Sequence, residues 1–408
     1  MERVRRASTT MPVVTMVGGG QLARMTHQAA IALGQCLRVL AADEADPAAQ
    51  VSADVVLGSH DSLDDLRRAA AGAAALTFDH EGVPLAHLKA LEADGVAVLP
   101  PSAALHYAQD KLAMRRRLSE LGLPVPDFAD LSGERAVARD ALVEFGVRHG
   151  WDIVIKAVRG GYDGRGVWLL DDQTRALEVF DEAQVSAQLM VEAKVPMRRE
   201  LSALVARSPF GQGAAWPVVE TIQRHGQCAV VLAPAPGLAP EVAERAQQMA
   251  LRLADELGVV GVMAMELFET DDGELVVNEL AMRPHNSGHW SMDGSTTSQF
   301  EQHLRAVLDY PLGATDAVAG PVVMANVLGA AQAPSMSMDE RVHHLMARIP
   351  DAKIHLYGKG ERPDRKIGHV NIVGAPGASM DDVRERAERA ATWLSTATWT
   401  DGWDVHGE

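Results

Sequence analysis

The chain has 408 residues, of which 47% are hydrophobic and 23% are charged, so it can form two or three domains with substantial cores. It carries 38 Lys and Arg against 55 Asp and Glu, a formal net charge of -17 at pH 7. This acidic balance disfavours nucleic acid and anionic membranes as partners. Two cysteines cannot build a disulfide framework, and no apolar run approaches the roughly 20 residues of a membrane span. We therefore expect a soluble, cytoplasmic protein.

The first part of the chain alternates short apolar runs with helical stretches. The run at 13–17 ends in Gly18-Gly19-Gly20, and a helical stretch follows from Gln21 to Leu33. Further apolar runs lie at 36–41, 55–57, 76–78 and 96–99. This alternation predicts a parallel sheet that ends near Pro100-Pro101-Ser102. Residues 1–11 are basic and lack the apolar stretch of a signal peptide, so we interpret them as a disordered extension.

The remainder of the chain mixes helices with strands. A helix is predicted from about Ser102 to Leu121, and the pattern of residues 151–170 predicts a hairpin with a Gly-rich connection. A second hairpin is predicted around Asp271-Asp272-Gly273, a strong turn signal. The other predicted elements are strands at 187–192, 200–206, 322–327 and 369–373 and helices at 240–257 and 380–396. A smaller segment begins at about residue 316.

Two glutamates are predicted to face each other in the second hairpin. If its turn consists of Asp272 and Gly273, then Glu266 lies directly opposite Glu279, about 5 Å away. Like charges at this distance are destabilising unless a cation lies between them or one is protonated. With Asn278 they provide the hard oxygen ligands that suit Mg2+ bound to a polyphosphate. The alternative is a solvated pair on an outer face, which the apolar flanks VMAMELF and LVVNELAM disfavour.

The segment 159–166, RGGYDGRG, combines four glycines with two arginines. Its glycines would let backbone N–H groups approach a phosphate closely, although an ordinary flexible loop has the same composition. Lys156 precedes it in the apolar run IVIKAV, where a buried and unpaired ammonium would be costly, so an anionic partner is expected. No G-x-x-x-x-G-K-[ST] motif is present, which disfavours a P-loop fold.

Two further segments are candidate anion sites. Residues 283–289, RPHNSGH, follow the paired acids and bring a guanidinium, an imidazole and an amide that suit a small oxyanion such as bicarbonate. Either histidine of this segment has a structural role as an equal alternative. Residues 359–369, KGERPDRKIGH, form a basic cluster in an acidic chain, which favours a phosphate pocket over a solvated loop.

The first glycine turn has a competing interpretation. Gly18-x-Gly20-x-x-Ala23 follows a strand, and the acidic Asp43 comes roughly 20 residues later, as in dinucleotide-binding domains. A nicotinamide-dependent oxidoreductase is therefore an alternative. The turn alone does not decide, because any helix N-terminus after glycines can hold a phosphate.

Taken together, these segments resemble the family of 5-(carboxyamino)imidazole ribonucleotide synthetases, ATP-grasp enzymes of purine biosynthesis. The resemblance runs from GGGQLARM at 18–25 to RKIGH at 365–369, with GGYDGRG at 160–166 and NELAMRPHNSGHW at 278–290 as its longest motifs. It implies an α/β and α+β chain with a Rossmann-like preATP-grasp domain (12–110), an ATP-grasp domain with a mobile lid (111–315) and a small C-terminal domain (316–408). It also implies a cytoplasmic homodimer. In that family ATP phosphorylates bicarbonate to carboxyphosphate, which carboxylates aminoimidazole ribonucleotide with Mg2+ as cofactor.

The resemblance also implies residue roles. The nucleotide ligands are Lys111, Lys156, Gly161, Gly164, Gly166, Glu192, Ala193, Lys194, Val195, Glu200, Gln223, Asn278 and Glu279. The metal ligands are Glu266 and Glu279. Bicarbonate and its phosphorylated form are assigned to the catalytic residues Arg283, His285 and Asn286. The ribonucleotide ligands are Gly20, Gln21, Leu22, Glu81, Tyr162, Asp163, Arg165, Lys359 and Arg365.

Five positions depart from the family pattern. Ala23 and Met282 replace a glycine and a proline, changes that affect packing. Asp79, Tyr107 and Gln223 replace a glutamate, an arginine and a histidine, which leaves the corresponding contacts open. A formate-using transformylase and a non-catalytic nucleotide-binding subunit are further alternatives, because both would share the nucleotide site.

Overall fold

Residues 10–160, 164–183, 187–318 and 320–403 are described by a computed structural model of the chain. Its first part is the predicted parallel sheet, in the order β3-β2-β1-β4. The strands are β1 (Val14–Val17), β2 (Arg38–Ala41), β3 (Asp54–Leu57) and β4 (Ala75–Phe78), and the helices are α1 (Gln21–Ala32), α2 (Leu63–Ala70), α3 (Leu85–Ala93) and α4 (Ser102–Gln109). Strand β1 is buried throughout, because helices cover both faces of a parallel sheet. The run at 96–99 forms only an isolated bridge between Val98 and Leu76.

A second, antiparallel sheet follows, in the order β5-β8-β6-β7. Its elements are α5 (Lys111–Glu120), β5 (Phe128–Asp130), α6 (Arg135–Arg148), β6 (Ile153–Ala157), β7 (Val167–Leu170), α7 (Gln173–Ala183) and β8 (Leu189–Ala193). Side chains alternate between the two faces of a strand, and Ile153, Ile155 and Ala157 lie in the core beneath this sheet. Lys156 must therefore lie on the opposite face.

The largest sheet spans the rest of the chain, in the order β14-β13-β9-β11-β12-β15-β17-β16, and β10 pairs with β9. Its strands are β9 (Met197–Arg207), β10 (Gly213–Ala215), β11 (Val219–Arg224), β12 (Gln227–Ala233), β13 (Gly261–Thr270), β14 (Leu275–Ala281), β15 (Val322–Leu328), β16 (Lys353–Leu356) and β17 (Lys366–Val373). Its helices are α8 (Pro240–Glu256), α9 (Ser291–Gly294), α10 (Gln299–Val307), α11 (Met338–Arg348) and α12 (Met380–Thr396), with a 3-10 turn at Asn286–Gly288. Because β15 pairs with β12, this sheet crosses the boundary predicted near residue 316.

The turn between β13 and β14 differs from the prediction. Thr270 N donates to Glu274 O and Gly273 N donates to Thr270 O, so the loop contains Asp271 as well as Asp272 and Gly273. The predicted two-residue turn is wrong by one residue. No helix among the residues described above is long and apolar enough to cross a membrane.

His303 of α10 joins the first sheet to the largest one. Its Nδ1 accepts a hydrogen bond from Val262 N at 3.1 Å, so the neutral ring carries its proton on Nε2, which lies 2.7 Å from Thr77 Oγ1. The side chain is fully buried, and burial lowers the pKa of His303 to about 4. A charged ring at this junction is therefore disfavoured.

Because His303 is buried with a lowered pKa, we expect the free energy of unfolding to depend on pH. Between pH of about 6.5 and 4 the unfolded chain binds a proton at His303 and the folded chain does not, so the free energy of unfolding falls as the pH falls through this window. His303→Gln keeps a polar side chain that can donate and accept hydrogen bonds but cannot titrate. Between pH 7.5 and 5 we expect the wild type to lose about 2 kcal/mol more than the variant in urea unfolding. Equal losses would contradict the assignment.

Candidate active site

The predicted acid pair is present on one face of the largest sheet. Glu266 of β13 is the register partner of Glu279 of β14. Burial, together with repulsion from Glu279 and from Glu200 on the neighbouring strand, raises the pKa of Glu266 to about 8. Lys111 Nζ at the start of α5 donates to Glu279 Oε1 at 2.5 Å. Carboxylates held together in this way provide a site with affinity for a further cation.

A β-bulge at Asn278 restores the register that the longer turn had shifted. Leu267 pairs with Val277 and Glu266 pairs with Glu279, so Asn278 is the extra residue. Val277 and Leu280, three positions apart, consequently lie in the same core cluster. The bulge lets two consecutive side chains point into the cleft between the second sheet and the largest sheet. Asn278 Oδ1 accepts from Lys156 Nζ at 3.2 Å, while Glu279 binds Lys111.

A buried ion network closes the other side of this cleft. Lys156 Nζ lies 2.7 Å from Glu192 Oε2, and Arg115 Nε lies 2.6 Å from Glu192 Oε1. Burial lowers the pKa of Lys156 despite Glu192, while Arg115 and Lys156 hold the pKa of Glu192 low against the effect of its burial. Two cations share one carboxylate, so this side of the cleft favours an additional anion.

Arg115 is a site residue that the sequence interpretation missed. It lies four positions after Lys111 on α5, a spacing that places both side chains on one helical face. Its Nη2 donates to the backbone oxygen of Asn278 at 2.7 Å, so it ties the second sheet to the bulge. The Lys-x-x-x-Arg spacing was the available signal.

The predicted nucleotide residues of β8 to β11 border the same cleft. The carboxylate of Glu192 binds Lys156 and Arg115. Its strand β8 is paired with β5 and β6, and Ala193 N donates to Asp127 O at 2.9 Å, so the contact of this segment with a base stays a prediction. Lys194 Nζ instead pairs with Asp152 on the surface at 2.8 Å, so its side chain does not contribute to the cleft. Glu200, whose pKa is raised by burial, accepts a hydrogen bond from the Gln223 side chain. These two predicted ligands are therefore brought together.

The Gly-rich segment is only partly described, because Gly161, Tyr162 and Asp163 lie outside the described residues. Gly164 and Gly166 adopt left-handed φ values of 77° and 71°, which side chains disfavour. A Cβ on Gly164 would lie 3.2 Å from Gly226 Cα, so this glycine approaches the β11–β12 hairpin closely. Arg165 lies between Gly164 and Gly166 in the same turn.

The segment after β14 brings Arg283 and His285 beside the acids. Arg283 Nε donates to Glu81 Oε2 at 2.7 Å, and His285 Nε2 lies 3.5 Å from Glu266 Oε1. Burial, then Arg283 and Lys366, lower the pKa of His285 to about 3, so its ring is neutral. Lys366 thus influences the site although the prediction omitted it.

Two other residues of this segment are engaged elsewhere. Asn286 and Asn326 of β15 exchange hydrogen bonds of 3.1 and 2.8 Å through their side-chain amides, so Asn286 links the acid site to the C-terminal part. Sequence spacing offered no signal for Asn326. His289 is fully buried, and its Nδ1 lies 2.9 Å from Gln299 Nε2, which is the structural alternative considered for this histidine.

Four of the predicted ribonucleotide residues lie at the carboxyl end of the first sheet, because Gly20, Gln21 and Leu22 follow β1 and Glu81 follows β4. Asp79 accepts from Gly20 N at 2.8 Å and from Ala23 N at 2.9 Å, so the shorter acid caps α1. Gln21 Oε1 accepts from Lys359 Nζ. This contact joins the first sheet to the basic loop, residues 357–365 between β16 and β17. Leu22 is buried and offers only its backbone.

Comparisons with known proteins give the family. The chain matches the ribonucleotide synthetase preATP-grasp domain over residues 11–109, the ATP-grasp domain over 116–300 and the phosphoribosylaminoimidazole carboxylase C-terminal domain over 322–386. It is 62% identical over 396 residues to the N5-carboxyaminoimidazole ribonucleotide synthase of Mycobacterium tuberculosis, covering 97% of this chain and 90% of that protein. The chain belongs to the N5-carboxyaminoimidazole ribonucleotide synthase family.

Other family members support the same conclusion. The synthase of Corynebacterium ammoniagenes is 50% identical over 405 residues, covering 97% of this chain and 95% of that protein. The crystal structure of the Thermus thermophilus synthetase has a TM-score of 0.82 at 34% identity and covers 96% of this chain and 100% of that one. The Aspergillus clavatus synthase, in complex with ADP and 5-aminoimidazole ribonucleotide, has a TM-score of 0.84 at 28% identity and covers 94% and 98% of the two chains.

Membership in the N5-carboxyaminoimidazole ribonucleotide synthase family makes the chain an ATP-grasp ligase of purine biosynthesis. The glycine turn after β1 belongs to the preATP-grasp domain of this family. The nicotinamide-dependent oxidoreductase and the formate-using transformylase are therefore excluded as its identity.

Proposed function

We propose that this chain uses ATP and bicarbonate to carboxylate 5-aminoimidazole ribonucleotide in the cleft between the second sheet and the largest sheet. The observation that carries the proposal is the convergence of Glu266 and Glu279 with Lys111, Lys156 and Arg115 from the other side of the cleft. Acids that hold a cation opposite cations that attract an anion are what a metal–triphosphate complex requires. The Aspergillus clavatus relative is in complex with ADP and 5-aminoimidazole ribonucleotide, which supports these two molecules as ligands of this chain.

The acid pair fits Mg2+ as the cofactor. Its two carboxylates are hard oxygen donors, and the pKa of Glu266 is raised by burial and then by repulsion from Glu279, a repulsion that a cation would relieve. Among the described residues no group of three or more His, Cys, Asp or Glu side chains could hold a metal, so phosphate oxygens and water would complete the coordination. When bound, Mg2+ would neutralise charge that develops on the terminal phosphates.

The residues beside the acids suit bicarbonate. A bicarbonate oxygen attacks the γ-phosphorus, the bond to ADP breaks, and carboxyphosphate results. The ribonucleotide amine then attacks the carboxyl carbon, and phosphate leaves with the amine proton. Arg283, which Glu81 holds in place, supplies a fixed positive charge for the oxyanion, while the neutral ring of His285 orients Glu266. Asn286 is held by Asn326 at the same place.

The ribonucleotide would lie between the first sheet and the basic loop. Lys359 and Arg365 suit its phosphate, and Gly20, Gln21 and the backbone of Leu22 line the opposite side. Glu81 Oε1 is buried and has no hydrogen-bond partner among the described residues, so it can accept from the ligand. Tyr162, Asp163 and Arg165 complete the proposed set, and we further infer a cytoplasmic homodimer.

The test is ADP formation by the purified chain with Mg2+-ATP and 5-aminoimidazole ribonucleotide, with and without bicarbonate. Turnover should require both, and formate should not replace bicarbonate. Turnover with formate, or none in the presence of all substrates, would overturn the proposal. Sedimentation should give about twice the monomer mass of 43.7 kDa if the chain is a homodimer.

A further inference from the structure

Arg341 of α11 is a buried arginine outside the predicted site. Only 2% of its surface is exposed. Its Nη1 donates to Leu394 O at 2.5 Å and to Ser395 O at 3.3 Å, and its Nη2 lies 2.5 Å from Glu361 Oε1. The two backbone oxygens carry no net charge, so Glu361 is the partner that neutralises the buried guanidinium.

Glu361 belongs to the basic loop, residues 357–365, which also carries Lys359 and Arg365. One end of the loop is tied to Gly329, the residue that follows β15, because Gly329 N donates to Arg365 O at 2.9 Å and Asp364 N donates to Gly329 O at 3.0 Å. A Cβ on Gly329 would lie 2.0 Å from a loop carbonyl, which shows how closely the loop packs there. Arg341 therefore holds the middle of the loop, and Gly329 holds its end.

The loop carries two acids between Lys359 and Arg365, of which Asp364 is held through its backbone at Gly329 and Glu361 through its side chain by Arg341. Between Lys359 and Arg365 an uncompensated carboxylate would repel a phosphate dianion. Pairing with Arg341 removes this repulsion and fixes the loop at the same time. The first part of the loop is held by separate contacts, because Lys359 binds Gln21 and Gly358 O accepts from Gln50 Nε2 at 3.0 Å.

We propose that Arg341 and Glu361 form a positioning pair that shapes the basic loop and neutralises the charge of Glu361, so that the loop binds the phosphate of the ribonucleotide. The pair does not touch substrate. The inference rests on the proposed function, in which Lys359 and Arg365 bind that phosphate. It predicts that the pair controls KM for the ribonucleotide and not KM for ATP.

The experiment is a double-mutant cycle read by steady-state kinetics. Arg341→Met should raise KM for 5-aminoimidazole ribonucleotide at least about tenfold, with kcat and KM for ATP within about twofold. Glu361→Gln leaves Arg341 with backbone oxygens only but places no unpaired negative charge in the loop, so it should raise that KM only about threefold. The double variant should return to the level of Glu361→Gln, because removing the acid removes the repulsion. A double variant no better than Arg341→Met would overturn the proposal.

Controls separate this proposal from the one it rests on. Arg348 lies on the same helix as Arg341 and forms an ion pair with Asp401. Arg348→Met removes this pair and should leave KM for the ribonucleotide unchanged. If Lys359→Ala and Arg365→Ala leave that KM unchanged, the proposed phosphate site fails. If they raise it and Arg341→Met does not, only the positioning pair fails. Should Arg341→Met not fold, Glu361→Gln alone decides, and an unchanged KM for the ribonucleotide in that variant would overturn the pair.

Discussion

Glu279→Gln is expected to lower the rate of ADP formation about a thousandfold while leaving the fold intact. Glu279 is the acid that both opposes Glu266 and binds Lys111, so it joins the acid pair to the cations on the other side of the cleft. Glutamine keeps the shape of the side chain but is a poor ligand for Mg2+. The loss should therefore appear in kcat at saturating substrates.

The measurement is steady-state ADP release with saturating bicarbonate, ribonucleotide and Mg2+-ATP. Glu274→Gln is the matched control, because Glu274 lies at the turn of the same hairpin, mostly exposed, with Arg245 3.8 Å away. It should retain full activity. Thermal unfolding should be similar for all three proteins. Substantial activity in Glu279→Gln would refute the metal assignment.

Lys156→Met is expected to weaken ATP binding about a hundredfold without loss of stability. Burial lowers the pKa of Lys156, which means that the folded chain without nucleotide disfavours the charged ammonium. Arg115 remains to neutralise Glu192 when the lysine is replaced. The unfolding midpoint should therefore stay the same or rise, while the charge that attracts the triphosphate is lost.

Isothermal calorimetry with ATP, together with thermal unfolding, separates the two effects. Lys194→Met is the control on the adjoining segment, because its ammonium pairs with Asp152 at the surface. It should change affinity by less than about threefold. Equal weakening by both variants would show that Lys156 has no special role, and a large loss of stability in Lys156→Met would show that it is structural.

The acid pair shows how a sequence prediction can be right with one incorrect step. Alternating apolar residues placed Glu266 and Glu279 on paired strands, and the structure confirms the pair. The turn is longer than predicted by Asp271, and the bulge at Asn278 cancels the shift. A bulge arises from strand pairing over the whole sheet, so the composition of the hairpin did not indicate it.

Other features depended on which parts of the chain meet. The apolar run around Lys156 predicted an anionic partner, but it did not identify Glu192 or the second cation, Arg115, that shares it. The contact made by Asp79 was left open because its side chain is shorter than that of the glutamate it replaces. The structure shows that Asp79 reaches the start of α1. Likewise, Asn286 is an expected oxyanion ligand whose amide also pairs with Asn326.

The sequence by itself determined many of the strands and helices, the motifs and the chemistry of the candidate ligands, because periodicity and turn residues act within short windows of the chain. It was wrong where packing intervened: the run at 96–99 forms only an isolated bridge, and the helix predicted from Ser102 to Leu121 is two helices, α4 and α5. The tertiary structure decided the partners. Lys111 binds Glu279 across 168 residues, Arg283 binds Glu81 across 202, and Lys359 binds Gln21 across 338. Such pairs form only when separately folded sheets pack together, and charge alone does not distinguish one acid from another before that packing exists.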